Sequence, residues 1–292
     1  MIKTADFIHP EDAAALNTLK AIPGFATIMK TIIKYYDEIQ FYGTNIASSI
    51  RLSPLQLPQI YRHLPPICER LGIEEPEFYL TMTPIPNAWT FGDTKIFITV
   101  TSGLIDIMDS EELNAILAHE CGHILCRHTL YKSMARILLG QLINTNVIKD
   151  CDNMLAIAFN YWSRKAELSC DRVASLITSP DVVSRTMARL AGGGKNITSN
   201  INMEEWAKQA DIYDKIYKDS NLWEKSIFIS NTMNLDHPFT AVRVREILKW
   251  GETPEYYYAK NKLNTITKTR CKVCGKPYNP NHKYCTYCGN EL

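Results

Sequence analysis

Two groups of residues in this chain have the types and spacing to hold a metal ion. The first is HECGH, residues 119 to 123. On a helix, positions four apart lie one above the other, so His119 and His123 can both aim an imidazole nitrogen at one ion about 2 Å away. Glu120 then stands about 100° round the helix, beside the ion rather than on it. This is the HExxH arrangement, in which zinc lowers the pKa of a water to about 7 and the adjacent carboxylate takes its proton as the water attacks a carbonyl. The same five residues also fit an ordinary helix. Their flanks, Leu117, Cys121, Gly122, Ile124 and Leu125, are all uncharged, as a buried helix requires, and burying two histidines and a glutamate without a metal partner would be costly. Gly122 further allows a second backbone to come close.

The second group is Cys271, Cys274, Cys285 and Cys288, two CxxC pairs separated by ten residues and each followed by glycine, Gly275 and Gly289. A CxxC turn points both thiolates at one ion, and the pattern predicts a structural zinc ribbon over 271–292. So short a module buries no core, and its folding free energy must come mostly from the metal. The other five of the nine cysteines are scattered singles, which favours a reducing compartment over a disulfide framework. Cys121, beside the general base, reads as packing, with oxidation sensitivity as the alternative.

The first group needs a third protein ligand. A metzincin extension would place Gly at 126 and His at 129, where the chain has Cys126 and Thr129. His128 lies about 140° from His123 on a continued helix and is not expected to share the ion. Glu167 stands out among distant candidates because Asp171 follows it by one helical turn, where it could accept the outer N–H of a ligand histidine. A solvated acidic face paired with Arg164 or Lys165 is the alternative.

HECGH, then Glu167 and Asp171 in ELSCD, then His237-Pro238 with Arg243 six residues after the histidine, resembles the gluzincin metallopeptidases related to HtpX and the CAAX prenyl endopeptidase. Asn87-Ala88-Trp89 is similar to their Asn-Ala-Phe segment, with Trp for Phe. The resemblance spans about 76–248. It implies a catalytic zinc on His119, His123 and Glu167, with Asp171 and Arg243 behind them and His237 near the metal, assisting the oxyanion or holding the enzyme off at rest. It also implies a peptide substrate that adds as a strand along Asn87, Ala88 and Trp89. The membrane-embedded relatives carry spans around the catalytic helix, whereas 130–160 here is too polar, so a soluble member without a transmembrane helix is expected.

These groups need elements to position them. Asp109 and Glu112 form a capping-box pattern ahead of a helix from 110 to about 128, and a second long helix covers about 152–178, stopped by Ser179-Pro180. FYLTMT (78–83), NAWTFG (87–92) and KIFITVTSGLI (95–105) predict a small sheet of three or four strands, with a turn at Gly92-Asp93. Further helices are predicted from His9-Pro10, separated by Pro23-Gly24 from an apolar-periodic run through Tyr36, and over 58–71, 181–191, 196–234 and 240–250. From Gly251 periodicity fades, and 251–270 reads as a linker. The fold class is therefore α+β, a mostly helical metallopeptidase domain over 1–250 with a small sheet, then the linker and the ribbon.

The 292 residues are 46% hydrophobic and 22% charged with net charge +1, so no global pull toward nucleic acid or anionic membrane exists. The tail from 251 carries seven Lys/Arg against three Asp/Glu; zinc thiolates offset part of that, so nucleic-acid binding is open but not compelled, and a protein partner docking on the ribbon is at least as plausible. The acidic N-terminus lacks a secretory signal's features and suggests a cytoplasmic location. The leading expectation is a zinc endopeptidase with one catalytic and one structural zinc. The competing one is an inactive zinc-ribbon adaptor, which zinc counting and a Glu120 variant would separate.

Overall fold

The structure is a computed structural model that describes residues 2–22, 25, 38–132, 153–221, 223–225, 227, 239–268, 271, 273, 274, 283–285 and 288–291, with the backbone alone for 38–41, 153–157 and 266–268. The apolar run predicted to Tyr36, His237, and 228–234 of the predicted 196–234 helix lie outside the described residues.

In chain order come α1 (Pro10–Lys20), α2 (Glu38–Ser48), β1 (Ile50–Arg51), α3 (Leu64–Leu71), β2 (Glu77–Thr81), β3 (Ala88–Phe91), β4 (Phe97–Thr101) and α4 (Ser110–Leu125). There follow α5 (Asn153–Ile177), α6 (Pro180–Gly192), α7 (Met203–Asp219), α8 (Thr240–Gly251) and α9 (Pro254–Lys268). The chain is thus mostly helical with a small mixed sheet, and short helical turns fill some of the connections.

The sheet runs β1-β2-β4-β3. β2 and β4 are parallel, while β3 returns antiparallel to β4 through the turn predicted at Gly92, whose φ of 102° favours glycine. β4 is buried at every residue, as its continuous Phe-Ile-Thr-Val run demands. It stops at Thr101 rather than 105, because the Thr101 side chain accepts from Leu104 N and caps a short helix. β3 is an edge strand. Its Ala88 and Thr90 alternate onto the face toward α4, and Trp89 packs on the opposite face beside the Tyr79, Phe91 and Phe97 cluster.

α4 starts as predicted, with the Asp109 side chain accepting from Glu111 N and Glu112 N at 3.0 Å, and the Glu112 carboxylate accepting from Asp109 N at 3.0 Å. α4 and α5 then cross at Gly122. A Cβ there would lie 3.1 Å from Cys170 Cα and 3.2 Å from Cys170 Cβ, so a larger residue would push the helices apart by a few tenths of an ångström. That crossing brings residues some 50 positions apart in sequence to one site.

Several expectations fail: 58–71 is two helices, Pro58–Tyr61 and Leu64–Leu71, and 196–234 is interrupted before Met203. The segment 251–270 is not a linker through its length: α9 occupies most of it, with Tyr256, Ala259 and Leu263 buried at helical spacing. Lys260 Nζ donates to the carbonyls of Ser175, Leu176 and Thr178 at 3.3, 2.7 and 2.6 Å, closing the C-terminal end of α5. Three apolar positions among tyrosines and lysines make a stripe too sparse to read as an amphipathic helix. The predicted 110–128 helix also ends early, at Leu125. Arg127 takes φ 57°, and a new helical segment begins at residue 128.

Candidate metal centre

α4 buries an unusual set of charged groups: Glu112, His119, Glu120 and His123 are each no more than 3% exposed. Glu112 is matched by Arg189 of α6 at 3.1 Å. His119 and His123 meet α5, and Glu120 meets β3. His119 Nε2 lies 3.2 Å from Glu167 Oε2, and His123 Nε2 lies 3.3 Å from Glu167 Oε1, so one carboxylate faces the same nitrogen of both rings. Behind His119, Nδ1 is 2.9 Å from Asp171 Oδ1. Arg243 of α8 forks onto Asp171, Nη2 to Oδ1 at 2.6 Å and Nε to Oδ2 at 2.7 Å, and its Nη1 lies 3.4 Å from Glu167 Oε2.

The electrostatics differ between the two rings. Burial alone would pull His119 down, but the Glu167 and Asp171 carboxylates outweigh it and raise His119 to about 9. His123 is held well below its usual value by burial and by the Lys132 ammonium. Asp171 stays low despite burial because Arg243 holds its charge.

Lys132 is the test of whether these residues suit a metal. Its ammonium sits 2.6 Å from Glu167 Oε1 and 3.1 Å from His123 Nε2. A cation therefore already occupies the place where the carboxylate and this imidazole converge, and a divalent ion with two nitrogens and a carboxylate is the stronger fit for that donor set. His119, His123 and Cys170 can also bring one ligand atom each within 4.8 Å. Cys170 Sγ, however, is 3.2 Å from His123 Nδ1, the ring nitrogen turned away from Glu167, and burial pushes its thiol well up. Cys170 is therefore better placed as a weak hydrogen-bonding neighbour than as a thiolate ligand.

Glu120 is 1% exposed and is held by Thr90, whose hydroxyl donates to Oε2 at 2.6 Å. Asn87, Ala88, His119, Glu120 and Arg243 help line a small cavity. Of the three predicted substrate residues, Asn87 and Ala88 lie at this cavity, and Trp89 does not, because alternation on β3 turns it to the other face. Cys121 faces Cys68, sulfur to sulfur 3.9 Å in the core, which is packing.

His128 meets His123 from behind, on the nitrogen turned away from Glu167. Extending α4 would carry it away from His123, but the Arg127 reversal brings it back, and the two Nδ1 atoms are 3.2 Å apart. Thr90 could have been found from its alternation with Ala88. His128, Lys132 and Asp12, which lies 3.1 Å from His128, carry no local signal.

In the tail, Cys271 and Cys288 sulfurs are 3.6 Å apart, as are those of Cys274 and Cys285. Four sulfurs round a zinc at about 2.3 Å stand at about 3.8 Å from each other, so the cluster is compatible with a zinc ribbon. Hydrogen bonds from the Asn290 side chain and backbone pull the Cys288 thiol down to about 6. Gly289, at φ 74°, donates to Cys285 O at 2.8 Å and makes the predicted tight turn.

Two helix-borne histidines, an adjacent buried glutamate and a carboxylate from a second helix thus meet beside an edge strand. Residues 54–251 match Peptidase family M48. The chain belongs to that family. It is 35% identical over 275 residues to the plastoglobule-localized metallopeptidase 48 of Arabidopsis thaliana, covering 90% of this chain and 78% of the relative. A protease HtpX homologue of Trichormus variabilis is 23% identical over 68% of this chain and 75% of its own. Another, from Sulfurihydrogenibium, is 34% identical over 30% of each. No solved structure matches. Among the described residues no helix is long and apolar enough to cross a membrane. The cytoplasmic location expected from the N-terminus finds no support in these relatives, one of which is named for chloroplast plastoglobules.

Proposed function

We propose that the chain is a zinc-dependent endopeptidase in which His119, His123 and Glu167 hold the catalytic ion. The observation that carries this reading is the convergence of both Nε2 atoms on the Glu167 carboxylate, within 3.2 and 3.3 Å, in a buried pocket bordered by an edge strand. When bound, zinc supplies Lewis acidity that lowers the pKa of a water and polarises a peptide carbonyl. Glu120 is the general base. Thr90 holds one of its carboxylate oxygens and so sets the plane in which the other takes up the proton and later passes it to the leaving amine. Asp171, itself fixed by Arg243, orients His119 by accepting from Nδ1–H, which keeps Nε2 bare toward Glu167.

The substrate is an extended protein segment added along β3, with Asn87 and Ala88 at the cleaved bond. His237 stabilises the oxyanion or holds the enzyme at rest. The four tail cysteines hold a second, structural zinc, and the ribbon recruits a protein partner or gates the cleft. The intact set of ligands and the buttressed Glu120 disfavour an inactive adaptor.

Metal analysis and peptidase assays on Glu120→Gln test the mechanism. The variant should keep two zinc ions per chain and lose at least ~100-fold in activity on a fluorogenic peptide library; undiminished cleavage would sink it. Deleting 271–292 should alter substrate range if the ribbon gates or recruits.

A further inference from the structure

The match to family M48 begins at residue 54, yet a residue of α1 is built into the metal centre. Asp12 is 0% exposed and His128 is 1% exposed. A buried carboxylate is costly unless each oxygen is satisfied, and every group that satisfies this one comes from the walls of the site. Trp162 Nε1 donates to Oδ1 at 3.0 Å. The Ser169 hydroxyl donates to Oδ2 at 2.5 Å, and Ser169 in turn accepts from His9 N at 3.0 Å. His128 Nε2 lies 3.1 Å from Oδ2. The other nitrogen of His128 is the one that meets His123 Nδ1 at 3.2 Å.

Proton placement follows from these contacts. Between two facing Nδ1 atoms one nitrogen must carry hydrogen and the other must be bare. The Asp12 carboxylate accepts only, so it draws the hydrogen of a neutral His128 to Nε2, and His128 Nδ1 is left as an acceptor. His123 then carries its hydrogen on Nδ1 and presents a bare Nε2 toward Glu167. We propose that Asp12 and His128 are positioning residues that fix the tautomer and ring orientation of His123, making the N-terminal helix part of the metal centre. His119 is thus oriented by a carboxylate directly, through Asp171, and His123 by a carboxylate through a second imidazole. Cys170 Sγ also lies 3.2 Å from His123 Nδ1 and 3.6 Å from His128 Nδ1; a neutral thiol is a weak acceptor and plays the lesser part.

The inference rests on His123 being a zinc ligand, and His123→Ala in the full chain tests that premise separately by removing one of two bound zinc ions. Chelator competition for that same ion should show Asp12→Asn and His128→Phe each about 10-fold to 100-fold weaker. The double variant should be no weaker than His128→Phe alone, and Cys170→Ala should bind within about 3-fold of wild type. Long-range ¹H–¹⁵N spectra of histidine side chains in the zinc-loaded wild type give a readout independent of variant folding: hydrogen is expected on His128 Nε2 and on His123 Nδ1. Wild-type zinc affinity in folded Asp12→Asn, additive losses in the double variant, or hydrogen on His128 Nδ1 would each overturn the proposal, whereas failure of His123→Ala to lose zinc would overturn the ligand assignment.

Discussion

The two candidate metal clusters solve the same problem in opposite ways. The tail cluster gathers Cys271, Cys274, Cys285 and Cys288 from one short stretch, and Cys288 is exposed. The helical cluster gathers His119, His123 and Glu167 from two long helices, buries them completely and surrounds them with Asp171, Arg243, Thr90, His128 and Asp12. A local cluster depends on its metal to be a structure. A buried one is held by the fold, so its donors are already oriented toward a common point. Folding should therefore depend on metal at the first and hardly at all at the second.

The largest expected effect tests that contrast. Cys285→Ser should lose the ribbon zinc and with it folding energy of about 10–16 kcal/mol, making 271–292 protease-sensitive while the helical core melts as in wild type. His123→Ala should lose the other zinc and leave the core cooperatively folded; a core that collapses with it would erase the distinction. Limited proteolysis read by mass spectrometry, with metal counting, follows both.

Next is the connection between the two regions. Leu263 is fully buried on α9, so Leu263→Ala should cost the full-length chain about 2–5 kcal/mol in urea unfolding. An unchanged midpoint would mean that α9 adds nothing to the core and is a helical spacer. The crossing of α4 and α5 comes third. Gly122→Ala places a Cβ 3.1 Å from Cys170 Cα, which should cost about 1–3 kcal/mol and weaken zinc at the helical site without touching the ribbon ion. Equal affinity at both sites would show that the close approach does not govern ligand geometry.

The smallest effect is acid sensitivity. His9 and Arg245 outweigh partial burial and bring Glu246 down to about 2 from a usual 4.5. A carboxylate lowered on folding contributes stability above pH 4.5 that is lost as pH falls toward 2. The difference between wild type and Glu246→Gln should be about 1 kcal/mol at pH 6, after solvent screening, and should vanish near pH 2. A difference independent of pH would remove this contact between α1 and α8 from the account.

Much of the fold was legible because its signals are local. The Asp109–Glu112 box, Ser179-Pro180 and the turn at Gly92 each act within a few residues, and each lies where predicted. What escaped was set by partners distant in sequence. α9 has the look of a linker because its three buried apolar positions, Tyr256, Ala259 and Leu263, make too sparse a stripe among exposed tyrosines and lysines. The contact of His128 with His123 has no signal in the sequence because a single left-handed residue, Arg127, ends the helical phase between them. Trp89 lies away from the cavity because strand alternation, rather than proximity in sequence, assigns faces.

By itself the sequence determined the chemistry available: which nitrogens, carboxylates and sulfurs could reach one ion, since spacing on a helix or a CxxC turn is a local geometric fact. Only the tertiary structure decided which of them face each other. Burial makes an unpartnered charge costly, so the contacts of Asp12, His128, Thr90 and Arg243 are imposed by the packing of α1, β3 and α8 against α4 and α5, over separations that no local pattern encodes.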